Sequence, residues 1–163
     1  MSEIDSVPMP STGTDAHQYL TFALREVTYA LPVEAVKEIR GFTTVTPVPG
    51  AAPYVLGVMN LRGQVIPVMD LRARFGIEPK ERDRFTVIVL IELAERVVGI
   101  VVDAVSDVLD IPAGAIGPVP ELGDTVDQTY LAGMATIDDD VVLTLCVDAI
   151  VRTEGFADAA SAA

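Results

Sequence analysis

Tyr29-Ala-Leu-Pro-Val-Glu-Ala-Val-Lys-Glu-Ile39 can be laid without a gap over Val98-Gly-Ile-Val-Val-Asp-Ala-Val-Ser-Asp-Val108. Val33, Ala35 and Val36 fall on Val102, Ala104 and Val105, and the carboxylates of Glu34 and Glu38 fall on Asp103 and Asp107. The order continues downstream. Leu56-Gly57, a hairpin and Asp70 correspond to Leu131-Ala-Gly133, a hairpin and Asp148, with two extra residues in the second copy's turn. An internal repeat of this kind predicts two similar units of five short strands, one over residues 19–75 and one over residues 85–152, with strand sharing between them left open. A unit of ~60 residues buries only about 60% of the surface its unfolded chain exposes, so two such barrels gain by packing apolar faces together. The seam between them is the first place to look for function.

Strand patterns recur on both sides of that repeat: Tyr19 to Leu24, Val27 to Leu31, Val36 to Arg40, Val55 to Met59, Gln64 to Met69, Phe85 to Leu93, Arg96 to Val102, Val105 to Leu109, Ala132 to Ile137 and Val141 to Val147. They are rich in β-branched residues and bounded by turn signals such as Pro47-Val-Pro-Gly50, Ile111-Pro-Ala-Gly114 and Asp138-Asp-Asp140. The fold class is therefore mostly β with few short helices. A soft N-terminal tail runs to residue 17, one folded domain covers 18–153, and 154–163 reads as a C-terminal tail.

Half of the 163 residues are apolar, too many for a solvated coil. Eleven basic against twenty-four acidic side chains give a net charge of −13, which argues against nucleic acid and anionic lipid as partners. The unbroken apolar runs, Val87 to Ile91 and Val97 to Val102, fall far short of the ~20 residues of a membrane helix. Residues 1–16 have neither a basic start nor an apolar stretch, so no secretory signal is read there and the protein is expected in the cytoplasm.

Catalytic chemistry finds little support. The single histidine, His17, lies in the predicted tail, where it could not anchor a nucleophile's base. Cys146, the single cysteine, falls within an apolar strand pattern and reads as a small buried hydrophobe. Asp138-Asp139-Asp140 lacks the spacing and glycine of a calcium loop and reads as a solvated turn. Glu34, Glu38, Asp103 and Asp107 sit at even spacings beside turns, where ordinary exposed carboxylates go. No phosphate loop or dinucleotide pattern is present, so neither cofactor nor metal is expected. Asp70 and Asp148 each precede a short helical stretch, as an N-cap would. The enzymatic rival, a small-barrel hydrolase using the clustered carboxylates, is the weaker reading.

The residues that stand out lie on the predicted hairpin Val55 to Met69, with Asn60-Leu61-Arg62-Gly63 at its tip. Gly63 supplies the positive φ such a loop needs. Arg62 puts a guanidinium on an otherwise apolar hairpin, placed to meet a partner's carboxylate or to stand in solvent. Val36 and Glu38 share one face of a strand, an apolar knob beside an acid. Pro67 belongs on an edge or at a bulge because it cannot donate to a ladder. Gly57 and Gly133 mark bulges or close backbone approaches.

These residues carry a family resemblance. Glu38-Ile-Arg-Gly41, Gly57-Val-Met-Asn-Leu-Arg-Gly63, Ile66-Pro-Val-Met-Asp-Leu-Arg72, Arg96-Val-Val-Gly-Ile-Val-Val-Asp103 and Val105-Ser-Asp-Val108 resemble CheW, the chemotaxis coupling family, over roughly Gln18 to Val151. The resemblance implies two five-stranded Src-homology-three-like barrels packed about a hydrophobic core. It also implies a non-catalytic adaptor, monomeric when free, that joins the cytoplasmic tip of chemoreceptors to the regulatory domain of the histidine kinase CheA. By the same resemblance Val36, Glu38, Gly57 and Arg62 meet the receptor, near a groove between the barrels. Gly117 and Leu122 fall where the family associates with the kinase in rings, at positions where it can show a basic and an aromatic residue. The rival roles on this fold are the coupling half of a CheV-like protein and an adaptor of a chemosensory pathway controlling something other than swimming.

Overall fold

The computed structural model describes residues 16–119 and 128–152. Ten strands form in chain order: β1 (Ala16–Leu24), β2 (Val27–Pro32), β3 (Val36–Gly41), β4 (Val55–Leu61), β5 (Gln64–Asp70), β6 (Val87–Leu93), β7 (Arg96–Val102), β8 (Ala104–Pro112), β9 (Leu131–Ile137) and β10 (Asp140–Leu145). The helices are short, α1 (Leu71–Arg74) and α2 (Val147–Val151), with single 3-10 turns at Val33–Ala35, Ala113–Ala115 and Gln128–Tyr130. All ten expected strands are present with small shifts at their ends. Tight hairpins explain why: Arg62 and Gly63, Ala94 and Glu95, and Asp138 and Asp139 each take positive φ at a two-residue tip. That geometry matches the right-handed twist of the flanking strands. The first strand begins earlier than expected, so His17 is not in a tail but pairs opposite Ile111 in β1.

The strands form two five-stranded sheets, β9-β10-β2-β1-β8 and β3-β6-β7-β5-β4. These do not follow the contiguous stretches 19–75 and 85–152. The first repeat's β1–β2 hairpin completes its barrel with β8, β9 and β10 of the second, and the second repeat's β6–β7 hairpin does the same with β3, β4 and β5. The exchange is reciprocal: β2 runs parallel to β10, and β7 runs parallel to β5. Its cause lies in the connections, since Pro32-Val-Glu-Ala35 and Val102-Asp103-Ala104 lack the Asn-Gly type of reversal that would fold the third strand back on the second. The chain instead continues into the neighbouring barrel. Each barrel is closed by a two-bond bridge between the segment after its third strand and its fourth strand. Thr46 and Val58 exchange N–H···O bonds of 2.8 and 2.9 Å, and Gly117 and Met134 exchange bonds of 2.8 and 3.0 Å.

Between the barrels lies the larger apolar core. Phe22, Tyr29 and Leu31 from the first barrel meet Met69, Val89, Ile91, Val98 and Ile100 from the second, with Leu71, Phe75 and Ile150 from the helices and their ends. Strand periodicity divides the labour. Along β6, Val89 and Ile91 face this shared layer while Ile88 and Leu90 fill the second barrel's own interior, so consecutive residues are all buried. A run of rings, Phe22 to Tyr29 to Phe75 to Tyr130 at 5.9, 5.5 and 5.7 Å, threads the layer.

Several local expectations are corrected by register. Pro67 is not on an edge, since β5 lies between β7 and β4. Val58, its opposite residue, gives both backbone groups to Thr46, so the Val58–Pro67 pair needs no hydrogen bond, and pairing with β7 starts only at Val68. Asp70 does cap α1, accepting from Arg72 N at 3.0 Å. The matching cap position on α2 is Cys146, half-buried and beyond the end of β10, while Asp148 lies in the first turn and pairs with Arg152 Nε at 2.7 Å. The amides of Asp70 and Cys146 donate to Tyr54 O and Tyr130 O, both at 2.8 Å. The repeats therefore align without the two extra residues.

Asp103 is also not an ordinary exposed carboxylate. At the crossing from β7 to β8 it accepts Arg72 Nε on Oδ1 and Arg72 Nη2 on Oδ2, both at 2.7 Å, and the Arg25 amide at 2.8 Å. Both side chains of the ion pair are 12% exposed. One carboxylate thus ties the first barrel's hairpin, at Arg25, to the helix that follows the second barrel's β5. Burial pushes its carboxyl up, but Arg72 and the Arg25 amide outweigh burial and hold it below the usual aspartate value. Its stabilising contribution is therefore complete above about pH 3.9, the unfolded value, and is lost as pH falls through the lower folded one. Asp103→Asn, which leaves Arg72 uncompensated, is expected to cost about 3 kcal/mol in urea unfolding and to flatten the acid limb of stability against pH.

Candidate functional site

β3 and the β4–β5 hairpin form one rim of the second barrel. β3 opens with Val36, half-buried against the edge of the shared core. A register shift follows, with Val36 opposite Ile91 but Glu38 opposite Leu90, so Lys37 is bulged outward and reaches Glu92 at 3.8 Å. The bulge aims Glu38 along the rim. Its Oε2 accepts Arg40 Nη1 at 2.7 Å and its Oε1 faces both terminal nitrogens of Arg62 at 3.3 Å. The hydrogen bond from Arg40 is the largest influence on the Glu38 carboxyl and, with Arg62, holds it below its usual value despite the opposing effect of desolvation.

Arg62 occupies the first tip position at φ 51°, and Gly63 the second at φ 85°, where its amide donates to Asn60 Oδ1 at 3.1 Å. The glycine does what the sequence asks of it. The guanidinium, expected to meet a partner's carboxylate or stand in solvent, lies over Glu38 of its own chain and stays 68% exposed. Barrel closure brings the two together, because β3 and β4 are the outer strands of the sheet and the Thr46–Val58 bridge draws them toward each other.

Gly57 belongs to the same barrel in a different way. It lies at φ 148° in the bulge of β4, and a Cβ there would stand 2.0 Å from Thr46 O. The residue is thus part of the closure itself. Gly133 is its counterpart in β9, packed under Ile116 and Gly117. Gly117 closes the first barrel, with open space where its Cβ would be. Leu122 lies outside the described residues. Glu34 is exposed on its 3-10 turn, and Asp138, Asp139 and Asp140 are exposed about a hairpin tip, as expected. Among the described residues no group of His, Cys, Asp and Glu is arranged to hold a metal ion.

Two features were missed at the level of sequence. One is the Arg72–Asp103 clamp. The other is Arg74, whose guanidinium lies 5.0 Å from the Tyr54 ring and 4.7 Å from the Tyr130 ring while Nε donates to Tyr130 Oη at 3.1 Å. The signal for it was present, since Tyr54-Val-Leu-Gly57 and Tyr130-Leu-Ala-Gly133 carry a tyrosine and a bulge glycine at identical spacing. Among the cavities on the described surface, one opens beside Arg72 and Asp103 and two on the first barrel. None of the three is lined by Val36, Glu38, Gly57 or Arg62.

Comparison with known proteins finds relatives over most of the chain. The family model described as the CheW-like domain matches residues 18–155. The chemotaxis protein CheW of Klebsiella aerogenes is 33% identical over 157 residues, covering 96% of this chain and 95% of that protein. That of Rhizobium meliloti is 35% identical over 137 residues, covering 84% and 88%. Among solved structures, the scaffolding protein CheW of Thermoanaerobacter tengcongensis superposes with a TM-score of 0.79 at 30% identity, covering 86% of this chain and 95% of that one.

The two glycines give opposite expectations. Gly57→Ala is expected to lose at least about 2 kcal/mol in urea unfolding, because the new methyl meets backbone that cannot retreat at a φ alanine avoids. Gly117→Ala, opening onto space, is expected to stay within about 0.5 kcal/mol of the parent.

Proposed function

The chain belongs to the CheW family, and on that membership we propose that it works as a non-catalytic chemotaxis adaptor, coupling the cytoplasmic tips of chemoreceptors to the regulatory domain of CheA. The observation that carries the site assignment is the Glu38–Arg62 pair, an exposed guanidinium held in place on the barrel rim by a carboxylate of the adjacent strand. A positioned rim charge fixes the register of a docking helix without bond chemistry, and Val36 supplies apolar surface beside it. Gly57 serves the receptor face indirectly, by keeping β4 and Thr46 close enough for the rim to form. Gly117 and Leu122 are assigned to the kinase side.

The adaptor works in the cytoplasm and reaches the membrane through its receptors. No helix among the described residues is long and apolar enough to cross a bilayer, and a net charge of −13 disfavours anionic lipid. Individual contacts can be weak, because each one made in an array raises the effective concentration for the next.

Reconstitution with a receptor cytoplasmic fragment and CheA tests the assignment through co-sedimentation and kinase autophosphorylation. Arg62→Glu and Glu38→Lys are each expected to lower receptor coupling by about fivefold or more with an unchanged thermal melt. Parental coupling by both variants would remove the rim from the receptor site.

A further inference from the structure

The repeat gives the two barrels equivalent open ends, and their contents differ. In the second barrel the end is filled by Leu61, Ile66, Leu90 and Val97, and Arg62 lies across it onto Glu38. At the matching places the first barrel has Ile137, Val142, Thr21 and Thr28; Ile137 matches Leu61 in size, while the other three are smaller or polar. It has Asp138 where the other has Arg62, Asp107 where the other has Glu38, and Asp140 in place of Gln64. The shortfall in volume leaves a cavity of about 240 Å³ at this mouth. Thr21 and Thr28 line it from inside and the three aspartates surround the opening.

No ion pair among the described residues neutralises that opening. Asp107, Asp138, Asp139, Asp140 and the nearby Glu26 make no ion pair among the described residues, although the equivalent acid in the other barrel has two arginines. The carboxylates are also too spread to surround a single metal ion. Carboxylates distributed around a mouth suit a planar guanidinium, which spreads its donors over several acceptors. Beside the mouth, sharing Thr28 and Asp140, runs a second, more apolar concavity of about 350 Å³, with Met134 in its wall. Val27 and Val141 border it at 39% and 49% exposure.

We propose that this end of the first barrel is a docking surface for a protein segment carrying an arginine beside an aliphatic side chain. The guanidinium enters the mouth between Asp107 and Asp138, as Arg62 covers Glu38 in the other barrel, and the aliphatic group lies across Val27 and Val141. The internal repeat thus presents one end already closed by its own arginine and one end that receives an arginine from outside. This surface is separate from the Glu38–Arg62 rim and does not rest on the receptor assignment.

Titration of the isotope-labelled full chain with N-acetyl-leucyl-arginine amide, followed by amide chemical shifts, tests the proposal. Saturating shifts are expected at Thr21, Thr28, Asp107 and Asp138 to Val141. Replacing arginine by neutral citrulline is expected to weaken binding at least about fivefold, as is the double substitution Asp107→Asn with Asp138→Asn. Thr28→Leu, which fills the mouth without touching the charges, is expected to weaken it too, and thermal melts confirm that each variant is folded. Equal binding of the citrulline peptide, shifts scattered over carboxylates elsewhere, or no effect of the variants would overturn the proposal. So would calcium chloride saturating the same residues more tightly than the peptide.

Discussion

The apolar layer between the barrels is what the rest of the molecule depends on, and it exists because the repeats exchange hairpins. A five-stranded barrel of this size has too little interior to hold itself, and the first barrel's own core shows it. Ala30, Ala135, Val142 and Ile111 are its fully buried members. Exchange converts that weakness into a shared core. The middle of β2 and most of β6 bury both faces, one inside a barrel and one between barrels, so successive side chains along them leave water alternately into the two cores. Neither barrel can be completed without the other repeat, which makes the pair a single cooperative unit despite its two-part outline.

The repeat is symmetric in its backbone and asymmetric in its chemistry. Bulges fall at Lys37 and Ser106, closing bridges at Thr46 and Gly117, and helix caps at Asp70 and Cys146, all in corresponding places. Charge does not follow. Only the crossing at Asp103 has an arginine clamp, because the α1 position held by Arg72 is an aspartate in α2. Arg74, stacked against the equivalent tyrosines Tyr54 and Tyr130, likewise has no counterpart. Backbone pairing and burial keep the two halves alike, while side chains at hinges and rims are free to differ, and that is where the chemistry of the surface has separated.

Strands and turns were legible in the sequence because each is a local matter. Alternation, β-branched residues and a tip such as Arg62-Gly63 specify a hairpin within a few positions, and ten strands in a duplicated order specify small barrels. What escaped depends on distant partners. Asp103 has the spacing of an exposed acid, yet Arg25 and Arg72, both far away in sequence, bury it. Pro67 looks like an edge residue until Thr46 is seen to take the hydrogen bonds of the strand opposite. Arg62 and Glu38 each stand out separately in the sequence, but that they pair depends on barrel closure, which brings them together. The exchange itself was left open, since the sequence marks the absence of a reversing turn after β2 without saying where the next strand goes.

The shared core also limits how such a protein can pass a signal. Each barrel is built from strands of both repeats, β1 with β8 and β3 with β6, so sliding one barrel over the other would disrupt the shared apolar layer with its aromatic run from Phe22 to Tyr130 and strain the two chain crossings. The crossing that could serve as a hinge is pinned by Asp103. A ligand can shift an equilibrium only by favouring one of two accessible arrangements, and two internal arrangements of these barrels are not available at modest cost. The layer and the Asp103 clamp hold the two barrels as one body, and the differences between the repeats are confined to side chains at rims and hairpin tips.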